Sequence, residues 1–240
     1  MQPERFVDRT LVVIAHPDDA EFWLGGTIAA WTAAGTAVSY LVLTDGDAGG
    51  YDPAVSRSRV PQIRRGEQNR AAALLGVRDV RFLGLPEGSL LDPGPELHIE
   101  LVRAIRRVRP QRIVTWSPEW NWQRFRGCHP DHLATGTLTL RAAYPDAGNP
   151  FALSFLRDDE RLQPWTADEI WLINSAQVNH YVDVTETFER KVAAVRVHDS
   201  QAGHHEDLAA YLRQRIAANT TVAGLPEGRL AEAFQVVFNQ

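Results

Sequence analysis

The stretch LVVIAHPDDAEFWLGG, residues 11–26, decides the fold class that this sequence predicts. Its first five residues are apolar, which is typical of a strand buried on both faces, and the residues after them read as a turn that opens a helix. Open α/β sheets place their sites at the carboxyl ends of parallel strands. Here that end carries His16, Asp18 and Asp19. The chemistry of the protein is therefore expected where this strand ends.

Strand-like and helix-like segments alternate along most of the chain, an order that favours βαβ units and a mainly parallel sheet covered on both faces. The strand-like segments are 11–15, 37–44, 77–84, 112–118 and 169–175. Residues 145–168 read as a long connection near the site, and 185–218 as two helices. The sequence thus predicts an α/β fold in one domain over residues 1–240.

The composition excludes several classes of partner. The net charge is −5, with 25 Lys and Arg against 30 Asp and Glu, so the chain has no basic field for nucleic acid. No stretch approaches the ~18 apolar residues of a membrane span, and the polar N-terminus lacks a signal-peptide pattern. The one cysteine, Cys128, excludes an intramolecular disulfide and fits a reducing compartment. These features predict a soluble, cytoplasmic protein.

A second polar motif, CHPDHLATG at 128–136, completes the pattern of a metal site. His16 and Asp19 are three residues apart, as are His129 and His132, so each pair shares one face of a helical turn. Catalytic zinc takes three nitrogen or oxygen ligands and leaves one position to a water whose pKa falls to about 7. We therefore expect His16, Asp19 and His132 to hold a hydrolytic Zn²⁺.

The polar residues left over in the two motifs supply the proton transfers of hydrolysis. Asp18 is a candidate general base for the metal-bound water, and His129 a candidate to stabilise the oxyanion and protonate a leaving amine. Asp131 is expected to accept the other ring proton of His129. Any one of these residues alone is more simply a helix cap or an exposed side chain, but capping does not explain two such pairs.

Two histidines and a carboxylate also suit Fe²⁺ in a non-haem oxygenase, so ligand chemistry leaves that alternative open. The adjacent acid–base pair argues for hydrolysis instead. Three tryptophans, Trp116, Trp120 and Trp122, precede the second motif. Packing is their expected role, and a wall on which substrate stacks is the alternative.

These motifs resemble those of the PIG-L/LmbE-like family of zinc-dependent N-deacetylases, and the resemblance covers nearly the whole chain. The segments that carry it are AHPDDAEFWLGGTIA at 15–29, TDGDAGG at 44–50, IRRGEQNRAAALLGV at 63–77, FLGLPEGSL at 82–90, HPDH at 129–132 and VDVTETFERKVAAVRVHDSQ at 182–201. The style is closest to actinobacterial members. The resemblance implies a Rossmann-like three-layer sandwich with the site at the carboxyl ends of the strands.

The resemblance also implies an activity and a set of roles. The activity is removal of an acyl group, most often acetyl, from the nitrogen of a small amino sugar or glycoconjugate. The zinc ligands and the acid–base residues that the resemblance implies are the ones expected above from the two motifs. It also implies that Arg64 and Asp45 contact the substrate. The family includes oligomers, so a homo-oligomer is compatible with the resemblance.

The chain departs from the family at two positions. Some members have a Tyr where this chain has Gly127, and Tyr51 or Trp122 are the candidates for its role. Glu87 replaces the commoner Asp of its motif, which puts a substrate contact there in doubt. The missing Tyr keeps open a non-catalytic carbohydrate-binding or regulatory protein that retains the fold and the metal.

Overall fold

The apolar start of the opening stretch lies in an interior strand of the sheet in the computed structural model, which describes residues 4–239. This strand, β1, is buried along its last five residues. The sheet has seven strands in the order β3-β2-β1-β4-β5-β7-β6. The strands are β1 Arg9–Ile14, β2 Ala37–Thr44, β3 Asp79–Leu85, β4 Arg112–Trp116, β5 Glu169–Ile173, β6 His180–Asp183 and β7 Ala231–Phe238.

Strands β1 to β5 pair in parallel, and β7 runs antiparallel to both β5 and β6. The prediction of a mainly parallel α/β sheet is therefore confirmed. Strand β1 lies between β2 and β4, so the chain reverses its direction of travel across the sheet at this point. Loops that leave β1 and β4 diverge to opposite faces there, which opens the crevice where α/β sheets bind ligands.

Helices cover both faces of the sheet and make it a three-layer structure. Val12 and Ile14 of β1 pack in one apolar cluster with residues of the first, second, sixth and eighth helices, whereas Leu11 and Val13 pack in another with the third and fourth. Alternate side chains of a strand point to opposite faces, which produces the two clusters. The helices are α1 Asp19–Ala33, α2 Val60–Leu74, α3 Gly94–Val108, α4 Pro130–Arg141, α5 Ser154–Asp158, α6 Phe188–Val197, α7 Asp199–Ala202 and α8 Leu208–Val222.

The C-terminal third of the chain differs most from the sequence-based expectation. Strands β6 and β7 were not predicted, because neither belongs to a βαβ unit and β6 has only four residues. The connection at 145–168 contains the short α5, and the helical tail breaks twice, at His198 and after Ala202.

None of the helices in residues 4–239 has the length and apolarity of a membrane span. The single domain over 1–240 stays a prediction, and its residues 1–3 and 240 lie outside the described part.

Candidate active site

The turn between β1 and α1 is held by the carboxylate of Asp19, the first residue of α1. Its Oδ2 accepts hydrogen bonds from the backbone N–H groups of Ala15 at 3.1 Å and His16 at 2.9 Å. Asp18, the residue before the helix, has φ = 101°, a left-handed conformation that is uncommon outside glycine. The turn therefore presents the three polar residues of the HPDD motif in a defined backbone geometry.

Helix α4 begins within the second motif, and residues 117–129, which include the 3₁₀ helix Trp122–Gly127, connect it to β4. His129 is the N-cap, and its Nδ1 accepts a hydrogen bond at 3.1 Å from the backbone N–H of Asp131. His132 lies one turn along, where its Nδ1 donates to the carbonyl of Gly127 at 3.0 Å and its ring stacks on Trp116 at 3.5 Å between centroids. A backbone group thus engages Nδ1 of each ring. The other ring nitrogen, Nε2, is left available for contacts in the site.

The three predicted metal ligands come together from these two turns. His132 Nε2 lies 3.2 Å from His16 Nδ1 and 3.2 Å from Asp19 Oδ1, and His16 Nδ1 lies 3.7 Å from Asp19 Oδ2. Ligand atoms around a tetrahedral zinc with bonds of 2.0–2.1 Å are about 3.3 Å apart. The spacing of the trio therefore fits a zinc-sized ion.

The tautomers of the two imidazoles support the same conclusion. His132 uses its Nδ1 proton on Gly127, and His16 uses its Nε2 proton on Asp131 Oδ2 at 3.2 Å. The two nitrogens that face each other, His16 Nδ1 and His132 Nε2, then each carry a lone pair. A cation between them would satisfy both.

The charges around His16 also favour a cation. Burial disfavours a charged imidazole, but hydrogen bonds to Asp131 and Asp19 outweigh it and raise the pKa of His16 to about 10. Burial likewise opposes ionisation of Asp19, yet His132 and His16 hold its pKa well below the usual range. The negative field that holds a second proton on His16 would equally stabilise a metal ion, which would take the place of that proton and leave the imidazole neutral.

The carboxylate of Asp131 has a partner other than the expected one. It contacts His16, and only the backbone N–H of Asp131 contacts His129. The reason is the turn after β3, whose backbone N–H groups at Gly88 and Leu90 donate to this carboxylate at 2.6 Å and 3.3 Å. These donors draw Asp131 toward His16, where it forms the carboxylate–histidine pair that often supports a metal ligand.

Asp18, the candidate base, is paired with Arg64 of α2. The guanidinium Nη2 lies 3.1 Å from Asp18 Oδ2, and Nη1 donates to the carbonyl of Gly46 at 2.7 Å. Burial raises the pKa of Asp18 to about 6, although Arg64 acts in the opposite direction. A carboxylate with a pKa near the working pH suits a general base. Arg64 is itself only 3% exposed, and its guanidinium contacts the carbonyls of Pro17 and Gly46 as well as the base.

Asp45, the other implied substrate contact, pairs with Arg65 Nε at 2.7 Å. Glu87 is a site residue whose role the sequence left in doubt. Its Oε1 lies 3.8 Å from His129 Nε2, and its buried Oε2 lies 4.0 Å from Arg64 Nη1 without a hydrogen-bond partner. The extra methylene of Glu over Asp thus carries a carboxylate between the candidate acid and the arginine that holds the base.

A buried polar chain behind Asp18 escaped the sequence-based reasoning. The backbone N–H of Asp18 donates to Gln68 Oε1 at 2.8 Å, and Gln68 Nε2 donates to Glu21 Oε1 at 2.9 Å. Glu21 Oε2 lies 3.2 Å from His198 Nε2. Gln68, Glu21 and His198 are fully buried, so the chain fixes the strained backbone of Asp18 from inside the protein. Glu21 and His198 stand in two of the quoted motifs, which was the available signal.

Gly127 has a steric reason to lack a side chain. A Cβ built there would lie 2.7 Å from the amide nitrogen of Asn174. Tyr51 and Trp122 were the candidates to replace the family Tyr. The ring of Tyr51 packs on His204 and the ring of Trp122 packs on Trp120, and neither ring packs on the ligand trio.

Comparison with known proteins agrees with this geometry. The sequence profile of a family described as "PIG-L: GlcNAc-PI de-N-acetylase" matches residues 11–143. The chain is 35% identical over 202 residues to the diacetylchitobiose deacetylase of Thermococcus kodakarensis, covering 83% of this chain and 72% of that protein. It is 31% identical to a probable N-acetyl-alpha-D-glucosaminyl L-malate deacetylase 2 of Bacillus cereus, with 87% and 90% covered.

Among solved structures, the N,N′-diacetylchitobiose deacetylase of Pyrococcus horikoshii superposes with a TM-score of 0.84 at 28% identity. The match covers 96% of this chain and 84% of that one.

Proposed function

Because the chain belongs to the PIG-L family of de-N-acetylases, we propose that it is a zinc-dependent hydrolase that removes the acetyl group from a small N-acetyl amino sugar or its conjugate. The relatives described above are named as deacetylases of such compounds, among them a disaccharide and a sugar malate. Hydrolysis of a carbon–nitrogen bond outside peptides is the reaction class that these names share.

The observation that carries the proposal is the spacing of His16 Nδ1, His132 Nε2 and the carboxylate oxygens of Asp19. Two neutral imidazoles and one carboxylate leave a bound divalent cation with a net positive charge, which suits a Lewis acid. A Zn²⁺ held by this trio would polarise the amide carbonyl and lower the pKa of a water molecule. The same donors also bind Fe²⁺, so the proposal has two parts: that the trio binds a divalent cation, and that this cation is zinc.

The residues around the trio divide the proton transfers between them. Asp18 takes a proton from the attacking water while oxygen bonds to the carbonyl carbon. Arg64 keeps Asp18 oriented and favours its ionised form. His129 accepts a backbone hydrogen bond at Nδ1, so its proton sits on Nε2. That N–H stabilises the oxyanion, and the proton that Asp18 took from the water then passes to the sugar nitrogen as the carbon–nitrogen bond breaks, which yields a free amine and acetate.

A direct test is release of acetate by the zinc-loaded protein from a panel of N-acetyl amino sugars. The parent should produce equal amounts of acetate and free amine. Asp18→Asn should retain zinc and lose most turnover, whereas His132→Ala should lose zinc and turnover together. Full zinc occupancy without acetate release from any sugar of the panel would refute the proposal.

Two other functions make different demands on the same site. A non-catalytic carbohydrate-binding protein has Gly127 in its favour, but it has no need of the Asp18–Arg64 pair or of a base whose pKa lies near 6. Such a protein would bind the sugars without releasing acetate. An iron oxygenase would consume oxygen and contain iron by metal analysis.

Compartment and assembly belong to the same proposal. Cys128 is free and buried, which supports a reducing cytoplasm as the compartment. A homo-oligomer, and the lack of a nucleic acid partner expected from the negative net charge, stay predictions that gel filtration and binding assays test directly.

A further inference from the structure

Three large aromatic side chains stand exposed on the loop that leads into the second motif. Trp120 is 43% exposed, Trp122 74% and Phe125 59%. Their ring planes are within 15° of parallel, and their centroids are 5.3 to 6.4 Å apart. We call these three rings the aromatic platform. Exposed apolar groups gathered in this way mark a binding surface more often than isolated ones do.

The loop that carries the platform is held in one conformation. Asn121 is buried, and its side-chain oxygen accepts from the backbone N–H groups of Gln123 and Arg124 at 3.2 and 3.3 Å. Its amide nitrogen donates to the carbonyl of Asn174 at 3.2 Å, and its backbone N–H contacts Cys128 Sγ at 3.1 Å. A ligand that binds the platform therefore meets a loop whose backbone is already ordered, which lowers the entropic cost of binding.

The platform lies on the chain segment that leads directly into the second motif of the candidate active site. The loop ends at Gly127, whose carbonyl orients His132, and the next residues are Cys128 and His129. A groove of about 410 Å³ is lined by two of the three rings, Trp122 and Phe125, together with Gly127, Trp23 and four residues with donor side chains, Gln123, Arg124, Arg126 and Arg215. The groove thus combines aromatic rings with hydrogen-bond donors, the usual composition of a small-molecule site.

From these observations we infer that the aromatic platform binds the pyranose ring attached to the N-acetyl sugar whose amide is cleaved. One face of a pyranose consists largely of C–H groups, which pack on an aromatic ring, while its hydroxyls lie at the edge and accept from donors. The inference rests on the proposed function and deepens it, because it makes a disaccharide or larger glycoside the preferred substrate over a free amino sugar.

The test compares N,N′-diacetylchitobiose with N-acetylglucosamine as substrates of the parent, Trp122→Ala and Trp122→Phe. The quantity compared is the ratio of kcat/KM for the disaccharide to kcat/KM for the monosaccharide. Trp122→Ala should lower this ratio about tenfold, the equivalent of one stacking contact, and Trp122→Phe should restore most of it. The matched control is Phe151→Ala, an 84% exposed aromatic outside the platform, which should leave the ratio unchanged.

An unchanged ratio in Trp122→Ala would overturn the inference. If sedimentation velocity also showed that this variant changes its oligomeric state, the platform would be a contact between copies of the chain.

Calorimetric titration of N,N′-diacetylchitobiose separates the inference from the proposed function. A parent that binds the disaccharide without releasing acetate, and a Trp122→Ala variant that binds it about tenfold more weakly, would refute the activity and support the platform. Acetate release by the parent, together with equal disaccharide affinity in the parent and in Trp122→Ala, would support the activity and refute the platform.

Discussion

Replacing Asp131 with Asn tests the support of the metal site without touching a proposed ligand. The carboxylate receives hydrogen bonds at Oδ2 from His16 Nε2 and the backbone of Gly88, and at Oδ1 from the backbone of Leu90. An Asn of the same shape places its carbonyl oxygen toward His16 and Gly88. Its NH₂ group then faces the N–H of Leu90, where two donors meet.

The size of the effect follows from these contacts. A hydrogen bond to a charged group contributes about 1.5–3 kcal/mol and a neutral one about 0.5–1.5, so the His16 contact weakens by about 1–1.5 kcal/mol. The contact with Leu90 is long at 3.3 Å, and its loss adds a few tenths of a kcal/mol. We therefore expect zinc affinity to fall about tenfold, because 1.4 kcal/mol corresponds to a factor of ten. Supporting residues of metal sites commonly show losses of this size.

Competition with a chromogenic chelator at pH 7 measures the zinc affinity. Acetate release at saturating zinc should remain within a few-fold of the parent, since the ligands and the acid–base pair are intact. Asp146→Asn is the matched control: Asp146 lies 2.7 Å from His98 Nε2, a carboxylate–imidazole pair outside the site. Its zinc affinity should equal that of the parent. An affinity in Asp131→Asn within twofold of the parent value would show that this carboxylate does not support the metal.

Three further predictions concern the base, the tight glycine and the buried ion pair. Burial raises the pKa of Asp18 to about 6, and the base must be ionised to act. In the metal-free electrostatics kcat/KM should therefore fall as the pH drops through about 6. A bound cation lowers the pKa of Asp18 and moves this fall to a lower pH. An acid limb that persists unchanged in the residual activity of Asp18→Asn would assign it to another group. Gly127→Ala should destabilise the fold by about 1–3 kcal/mol through its clash with Asn174, measured by urea unfolding, and Asn174→Ala should relieve part of that cost. Additive effects of the two changes would contradict the clash. Lys191 and Glu232 form a fully buried ion pair, and Glu232 also accepts hydrogen bonds from the backbone N–H groups of Gly26 and Thr27. Lys191→Met should lower the free energy of unfolding by about 3–5 kcal/mol because it leaves Glu232 charged and buried, and a loss below 1 kcal/mol would mean that the backbone donors alone hold Glu232.

The parts of the site that the sequence predicts are those set by local spacing. His16 with Asp19, and His129 with His132, lie three residues apart in turns that follow buried strands, and both turns are present where expected. Parallel pairing of β1 with β4 then brings the two turns to the same edge of the sheet.

The parts that escape prediction depend on contacts between distant segments. The partner of Asp131 is decided by the turn containing Gly88, 43 residues away in the chain, and not by its neighbour His129. The reach of Glu87 toward His129 depends on how that same turn folds over α4. Strands β6 and β7 are likewise stabilised by pairing across the sheet, which leaves little local signal in a short segment.

X-ray absorption at the zinc edge of the loaded protein tests the central claim most directly. The account predicts a shell of two imidazole nitrogens and carboxylate or water oxygens at about 2.0–2.1 Å. A sulfur scatterer at about 2.3 Å, which Cys128 alone can supply, or a shell without imidazole would contradict it.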